Sequence, residues 1–314
     1  MDRFDTISAV APRPHEMDPK QDLNASVAEM IAHWDHWLSR VLGDKPDLIV
    51  LPEACDRPPN FTLEQRLAYY AVRGDRIRDH FMDVARDNHC NIAYSAARQL
   101  PDGTWRNTTQ FINRQGGLDG FYNKNHLVHG EFYDAHILYG KDAPVIKTDF
   151  GTVSGVICFD LNYQELLQKY EQGRPELLVF CSMYHGGLMQ NIWAYTCRSY
   201  FVGSVPGDQC TIINPVGDLV AQSTNYYPFV TAQINLDHRV VHIDYNTEKF
   251  PAIKQKYGRK VKIYDPGHLG CVLMTCESED LTMTDIVNEF ALELWDDYYA
   301  RSMAERHAPG HIEP

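Results

Sequence analysis

Several short runs of apolar residues in the chain end abruptly at a proline or a polar residue. In Asp47–Glu53, "DLIVLPE", Pro52 ends the run and Glu53 follows it directly. A run of this length is typical of a strand that is buried on both faces of a sheet. The segments "GTVSGVICFD" at 151–160 and "ELLVFCSM" at 176–183 have the same character. Strands buried in this way are covered by helices, so these runs favour an α/β fold.

Helical patterns alternate with these strands along the chain. Helices are predicted at about 24–42, 65–87, 163–171 and 188–201. Asn24 or Ser26 is the expected N-cap of the first helix. Further strands are predicted at 5–11, 91–97 and 229–237, hairpins at 108–124 and 210–223, and a pair of strands within 143–160. This order predicts an α/β fold with a mixed sheet and helices outside it.

The character of the sequence changes after residue 237. Residues 246–267, "NTEKFPAIKQKYGRKVKIYDPG", are more basic and polar, and 284–308 has the pattern of one terminal helix. No internal repeat or low-complexity linker interrupts residues 1–237. We therefore predict one domain over 1–237 and a C-terminal extension over 238–314. The extension is expected to pack on that domain and could serve in self-association.

The composition excludes several classes of protein. The 314 residues carry a net charge of −13, which argues against a nucleic-acid partner because phosphate binding needs clustered Lys and Arg. No run of 18 or more apolar residues and no signal-peptide pattern is present, so a cytoplasmic protein with no membrane partner is expected. The eight cysteines lack CxxC or Cys/His zinc spacing, so reduced thiols and no structural zinc are expected.

Three reactive side chains lie at or just after predicted strand ends, where ligand sites of open α/β sheets collect. They are Glu53 after "LIVLP", Lys124 in "GFYNKNHL" and Cys158 in "GVICFD". A carboxylate base and a nearby cation would favour the reactive thiolate form of a cysteine. Each residue also has a structural interpretation: Glu53 could cap a helix or pair with Arg57, Lys124 could be solvated, and Cys158 could be a packing residue.

Together, these motifs resemble the nitrilase superfamily of carbon–nitrogen hydrolases. The similar segments are "LIVLPEA", "FYNKNHL", "FGTVSGVICFDLNYQE" and the hairpin "INPVGDLV", in the family's order. The resemblance covers roughly residues 5–237, which would then be the carbon–nitrogen hydrolase domain. It implies a four-layer α-β-β-α sandwich with no metal or organic cofactor. It also implies subunits paired through helices, as a homodimer or a higher even homo-oligomer.

The resemblance also assigns roles to the candidate residues. Glu53 would be the general base, Cys158 the nucleophile, and Lys124 with the backbone N–H of Phe159 would stabilise the oxyanion. Glu131, seven residues after Lys124, matches a second glutamate that orients the lysine in many family members; it could instead be a loop residue paired with Lys124 or Lys141. The implied activity is hydrolysis of a small-molecule amide or N-carbamoyl group, releasing ammonia or an amine.

The substrate is less constrained than the reaction. Nitrile-cleaving relatives usually have Trp-Glu after the nucleophile, whereas Phe159-Asp160 here is closer to the amidase and carbamoylase branches. Carbamoylases hold a substrate carboxylate with an Arg just after the cysteine, where this chain has Leu161 and Asn162. A carboxylate would then be absent or held elsewhere, for instance by Arg198. Other residues that could line the mouth of the site are Tyr184, His185 and Trp193, for which ordinary helix-start packing is an equal alternative.

Other functions are compatible with the same residues. Nitrile hydrolysis or acyl transfer to an amine could use the same cysteine, and a catalytically silent member could act as a binding or scaffold protein. The loop "HLVHGEFYDAH" contains His126, His129, Glu131 and His136, which could suggest a metal site. That loop lacks the helical i, i+4 histidine pair of zinc proteases, so a substrate-mouth role is favoured over metal binding.

Overall fold

The computed structural model describes residues 4–313. Its strands are β1 Phe4–Val10, β2 Leu48–Val50, β3 Asn91–Gln99, β4 Trp105–Ile112, β5 Leu118–Asn123, β6 Ile146–Lys147, β7 Thr152–Ile157, β8 Leu177–Cys181, β9 Tyr200–Ser204, β10 Thr211–Ile213, β11 Leu219–Gln222, β12 Phe229–Asn235, β13 His238–His242, β14 Val261–Tyr264 and β15 Cys271–Cys276. Its α-helices are α1 Leu23–Leu38, α2 Leu63–Arg73, α3 Arg76–Asn88, α4 His129–Tyr133, α5 Gln164–Gly173, α6 Leu188–Cys197, α7 Phe250–Tyr257, α8 Met283–Phe290 and α9 Trp295–Arg306. Short 3₁₀ turns lie at Leu42–Asp44, Cys158–Asn162, Thr247–Lys249 and Gly258–Lys260.

The chain divides into two compact units. One unit is Asp5–Ile234, and the other contains Phe4 and the chain from Asn235 onward. The boundary lies close to the predicted change of character after residue 237. Packing of the extension on the first domain, and its use in self-association, stay predictions.

The first unit contains two six-stranded mixed sheets. Strands of the first sheet follow the order β12-β1-β2-β3-β4-β5, and those of the second follow β11-β10-β9-β8-β7-β6. The central strands β1, β2 and β3 pair in parallel, as do β7, β8 and β9. Parallel pairing brings the carboxyl ends of neighbouring strands to the same edge of each sheet, where side chains from separate loops can meet.

The two sheets face each other and helices cover their outer faces. Gly155 of β7 lies against Tyr122 of β5, and the Ser204 hydroxyl of β9 donates to the carbonyl of Val10 in β1. On the outer face of the first sheet, Trp34 of α1 and Phe81 of α3 pack in one apolar core with strand residues. The helices α5 and α6 cover the second sheet. The predicted α-β-β-α sandwich is therefore confirmed.

Two predicted helices are each broken into two. The segment predicted as 65–87 forms α2 and α3, because the chain turns at Gly74, whose φ is +49°. The terminal segment 284–308 forms α8 and α9, and Ala291 between them has a φ of +45°. Both breaks use a residue with positive φ: Ala291 has the left-handed conformation that commonly ends a helix, and Gly74 has a conformation that favours glycine. The apolar pattern of the sequence continues across both.

Two other helix bounds were wrong. The first helix begins at Leu23 with Asp22 as its N-cap and ends at Leu38, so neither Asn24 nor Ser26 is the cap. The predicted helix 188–201 ends at Cys197, and Tyr200–Ser204 is the strand β9. All residues of β9 are buried between β8 and β10, and this pairing overrides the local helical pattern.

The second unit has its own small core. The strands β13, β15 and β14 form an antiparallel sheet in that order. Val241, Val272 and Met274 of this sheet are buried with Ile253 of α7 and Ile286 of α8. In neither unit, between Phe4 and Glu313, is there a helix both long and apolar enough to cross a membrane.

Substitution Gly155→Ala tests the close approach of the two sheets. A Cβ at this position would lie 2.8 Å from the Cβ of Tyr122, which is rigid buried structure. We expect the free energy of unfolding to fall by about 1–3 kcal/mol, as for other overpacked cores. Chemical denaturation measures this change. Gly43→Ala, where no atom lies within 4 Å of the new Cβ, is the control and should change it much less. Equal stability of both variants would contradict the packing.

Candidate active site

Strand ends bring Glu53, Lys124 and Cys158 into one cluster. Glu53 follows β2, Lys124 directly follows β5 of the same sheet, and Cys158 directly follows β7 of the facing sheet. The Lys124 Nζ lies 2.9 Å from Glu53 Oε1, and the Glu53 carboxylate lies close enough to the Cys158 thiol to raise its pKa. Three residues separated widely in sequence are therefore in direct contact, and Glu53 pairs with Lys124 instead of Arg57.

Glu131 and Asn107 complete the surroundings of Lys124. The Lys124 Nζ also lies 2.7 Å from Glu131 Oε2, which accepts a further bond from the backbone N–H of Val128. The Asn107 side-chain amide donates to Glu53 Oε1 at 2.8 Å and to Glu131 Oε1 at 2.7 Å. Asn107 was missed in the sequence because it lies inside strand β4, where a polar side chain gives no signal of its own.

The charges of this cluster follow from burial and contact. Lys124 is 1% exposed, and burial alone would lower its pKa, but the charges of Glu53 and Glu131 hold the pKa above its usual value. Burial alone would raise the pKa of Glu53, yet the charge of Lys124 and bonds from Lys124, Cys158 and Asn107 hold it below its usual value. At neutral pH the pair is therefore ionised.

Cys158 keeps its proton in this setting. Burial, the charge of Glu53 and the hydrogen bond to Glu53 raise the pKa of the thiol to about 12, against the opposing charge of Lys124. The side chain is 8% exposed, and its backbone φ is +52°, a conformation that non-glycine residues adopt rarely. The cluster thus contains a neutral thiol next to a carboxylate, which is the arrangement needed for a proton transfer coupled to nucleophilic attack.

A buried network fixes Cys158 relative to Lys124. The Tyr122 hydroxyl, two residues before Lys124, donates to Asp160 Oδ2 at 2.6 Å. The other oxygen of Asp160 accepts from the backbone N–H of His126 at 2.8 Å and lies 2.9 Å from His126 Nδ1. The His126 ring stacks on Tyr163, with ring centroids 3.7 Å apart. Asp160 is fully buried and joins the loop after β5 to the turn after β7.

Two of the predicted mouth residues, Tyr184 and His185, lie together with Phe159 beside Cys158. Phe159 is 43% exposed, and its ring centroid is 5.1 Å from that of Tyr184. The Tyr184 and His185 rings are 4.5 Å apart. Both residues follow β8, the strand next to β7. This exposed aromatic group could contact a substrate entering toward the thiol.

The structure does not bring Trp193 or Arg198 to this site. Trp193 is 0% exposed, and its indole N–H donates to the carbonyl of Leu161, so it is a packing residue of α6. Arg198 follows α6 and stacks on Tyr195, at the start of the chain segment that enters β9. Because β9 runs parallel to β8, this point lies at the sheet edge opposite Cys181 and the loop containing Tyr184.

The histidine-rich loop is arranged for contacts other than metal ligation. His126 contacts Asp160 and Glu165, and His129 stacks on the ring of Tyr133, whose centroid is 4.3 Å away. Among residues 4–313, no group of three or more His, Cys, Asp or Glu side chains is arranged to hold a metal ion.

Comparisons with known proteins give the same family for both sequence and fold. A sequence model of the carbon-nitrogen hydrolase family matches residues 9–239. A probable nitrilase from Schizosaccharomyces pombe is 29% identical over 99 residues, which cover 31% of this chain and 36% of that protein. The matched stretch therefore spans only about a third of this curated relative.

Solved structures extend the comparison over most of the chain. A carbon-nitrogen hydrolase from Helicobacter pylori G27 superposes with a TM-score of 0.64 at 14% identity, covering 81% of this chain and 93% of that one. A variant of the amidase from Nesterenkonia sp. AN1, with acrylamide added at its active-site cysteine, gives 0.58 at 15% identity, covering 79% and 99%. At these identities the likeness is one of fold. Because the family model spans both sheets and the Glu53–Lys124–Cys158 cluster, the chain belongs to the carbon-nitrogen hydrolase family of the nitrilase superfamily.

Proposed function

We propose that this protein is a cysteine-dependent hydrolase of non-peptide carbon–nitrogen bonds in linear amides or N-carbamoyl compounds. One observation carries the proposal: the Glu53 carboxylate contacts both the Cys158 thiol and the Lys124 ammonium in a single buried cluster. A base, a nucleophile and a fixed positive charge are the groups that acyl transfer requires. The related amidase that carries acrylamide on its active-site cysteine supports small amides as the substrate class.

In the first step Glu53 accepts the thiol proton as Cys158 Sγ attacks the carbonyl carbon. A thiol whose pKa is about 12 provides little thiolate at neutral pH, so transfer to the adjacent carboxylate has to accompany attack. The carbonyl π electrons move to oxygen and form a tetrahedral oxyanion. Lys124 supplies a positive charge that is already fixed by two carboxylates, so little reorganisation is needed when the oxyanion forms.

The backbone N–H of Phe159 is the second proposed donor to the oxyanion. Phe159 lies in the first turn of the 3₁₀ segment Cys158–Asn162, where N–H groups have no partner within the helix. Its place directly after the nucleophile puts this donor close to the carbonyl oxygen of a bound substrate. The left-handed backbone of Cys158 sets the direction of this turn.

The remaining steps return the enzyme to its starting state. The protonated Glu53 gives its proton to the nitrogen as the carbon–nitrogen bond breaks, so that ammonia or an amine leaves and a thioester remains. Glu53 then takes a proton from water as the water oxygen attacks the thioester carbon. It returns this proton to the Cys158 sulfur as the carbon–sulfur bond breaks, which releases the carboxylic acid and restores the thiol. Glu131 orients Lys124, because its Oε2 accepts a hydrogen bond from Lys124 Nζ at 2.7 Å.

Intact-protein mass spectrometry with a panel of small amides and N-carbamoyl compounds tests the proposal. Wild-type protein should gain the mass of the acyl group and release ammonia or an amine. Cys158→Ala should do neither while giving an unchanged circular dichroism spectrum, because it lacks the nucleophile. Hydrolysis by the alanine variant at the wild-type rate would exclude Cys158 as the nucleophile. An adduct formed only with nitriles in a parallel panel would mean that the substrates are nitriles and not amides.

Alkylation by iodoacetamide separates the role of Glu53 from the identity of the substrate. Cys158 should be alkylated faster than the other seven cysteines, because a carboxylate next to its thiol can accept the thiol proton during alkylation. Glu53→Gln removes the base and should slow this reaction by about a hundredfold. Peptide mapping gives the rate at each cysteine, and exposed Glu279→Gln is the control. Unchanged labelling in Glu53→Gln would mean that Glu53 does not accept the proton.

The pH profile of kcat/KM follows from the same charges. Lys124 and the hydrogen bonds hold the pKa of Glu53 below its ordinary 4.5, so Glu53 stays ionised from neutral pH down to that region. Activity on a neutral amide should therefore be constant around neutrality and fall only as the pH drops below about 4.5. Circular dichroism at each pH shows whether the protein is still folded. An acid limb centred near pH 7 in folded protein would contradict this assignment of the base.

A further inference from the structure

A cavity of about 390 Å³ lies directly beside the catalytic cluster. Asn107 and Glu131 form part of its wall, and the Asn107 amide is 2.8 Å from Glu53 Oε1 on its other side. The cavity is thus separated from the base by one side chain. Its volume is in the range of pockets that bind small molecules.

Two arginines line this cavity, and neither has an ion-pair partner among residues 4–313. Arg57 lies in the loop after Glu53, and Arg66 lies in helix α2. Arg66 Nε donates to the carbonyl of Phe61 at 2.9 Å, but in the described part of the chain neither guanidinium is paired with a carboxylate. The nearby Arg73, in contrast, pairs with Asp56 at 2.7 Å. Unpaired guanidinium groups in a cavity are suited to binding a carboxylate.

The charges around the cavity favour an anion in spite of an acidic chain. The whole sequence carries a net charge of −13, yet two cations line this wall. The opposing carboxylates on the wall are Glu131 and Asp134. Glu131 is already bonded to Lys124, and Asp134 is exposed, so it is screened by solvent. The two positive charges of Arg57 and Arg66 therefore exceed the single negative charge of Asp134 on the cavity wall.

The rest of the wall is apolar. Tyr70 and Trp105 contribute rings with centroids 5.6 Å apart, and Leu67 and Ala97 add aliphatic surface. An occupant that fits these surfaces has an apolar body and one anionic end.

We propose that this cavity binds the part of the substrate remote from the scissile bond, and that the substrate is an amide bearing a carboxylate held by Arg57 and Arg66. The inference rests on the proposed function for the chemistry at Cys158. It gives the carboxylate a place other than Arg198, which lies at the opposite edge of the sheet.

Calorimetric binding to the Cys158→Ala variant, which cannot turn over substrate, tests the proposal. The probes are monoamides of linear dicarboxylic acids, from succinamate to suberamate, each paired with the unbranched alkanamide of the same chain length. At the length that spans the site, the anionic amide should bind about ten-fold or more tightly than its neutral partner. Arg57→Gln combined with Arg66→Gln should abolish this preference, and Asp134→Asn should increase it.

The control is Arg40→Gln, which removes an exposed arginine outside the cavity and should leave the preference unchanged. Equal binding of anionic and neutral amides at every length, no binding of any anionic amide, or a preference that survives the double arginine substitution would each overturn the proposal. Hydrolysis of neutral amides without an anion preference would refute the cavity assignment alone. Anion-selective binding without hydrolysis by the wild-type protein would instead refute the proposed reaction and leave the cavity assignment standing.

Discussion

The buried ammonium of Lys124 is the interaction on which the site depends. A lysine that is 1% exposed is stable only when opposite charges and hydrogen bonds replace water. Glu53 and Glu131 supply both, at 2.9 and 2.7 Å. Their two loops follow different strands, so the ammonium also holds these loops in one arrangement. Loss of either carboxylate would leave a buried charge partly uncompensated, which costs more than the pair itself contributes.

The charge count of the cluster explains its resting state. Two carboxylates and one ammonium leave one net negative charge next to Cys158 before any substrate binds. A thiolate would add a second negative charge in a buried place, and the raised pKa of Cys158 expresses that cost. In the proposed mechanism the thiol therefore loses its proton to Glu53 only as its sulfur attacks an electrophilic carbon, and in acyl transfer the new negative charge forms on an oxygen that Lys124 stabilises.

Much of this site could be predicted because its residues end strands. Glu53, Lys124 and Cys158 stand where apolar runs stop, and the sheet topology brings those ends together. Asn107 could not be found in the same way, since it lies within a strand and its role depends on the loops that it faces. Trp193 and Arg198 were placed wrongly because proximity in sequence to a strand end does not give the direction of a helix that leads away from it.

The order of strands and helices could be predicted from the sequence, but some of their ends could not. The apolar runs predicted strands buried on both faces of a sheet, and their alternation with helical patterns predicted helices on the outer faces. Both predictions rest on hydrophobic periodicity, which can be read from short stretches of sequence. Helix ends at Gly74 and Ala291 were not predicted, since a residue with positive φ can end a helix without interrupting its apolar pattern. Residues 200 and 201 were predicted to end a helix and instead begin strand β9, because the two neighbouring strands offer pairing and burial.

The hydrogen bond between Tyr122 and Asp160 connects the fold to the site. Lys124 and Glu53 follow strands of one sheet and Cys158 follows a strand of the other, so the distances within the cluster depend on the alignment of the two sheets. Tyr122, two residues before Lys124, donates a hydrogen bond at 2.6 Å to Asp160, two residues after Cys158. The same tyrosine packs on Gly155 of β7, where no larger residue fits without movement. Lys124 and Cys158 are thus positioned relative to each other by one buried side chain, and the proposed acyl transfer would be sensitive to displacements of about 1 Å between them.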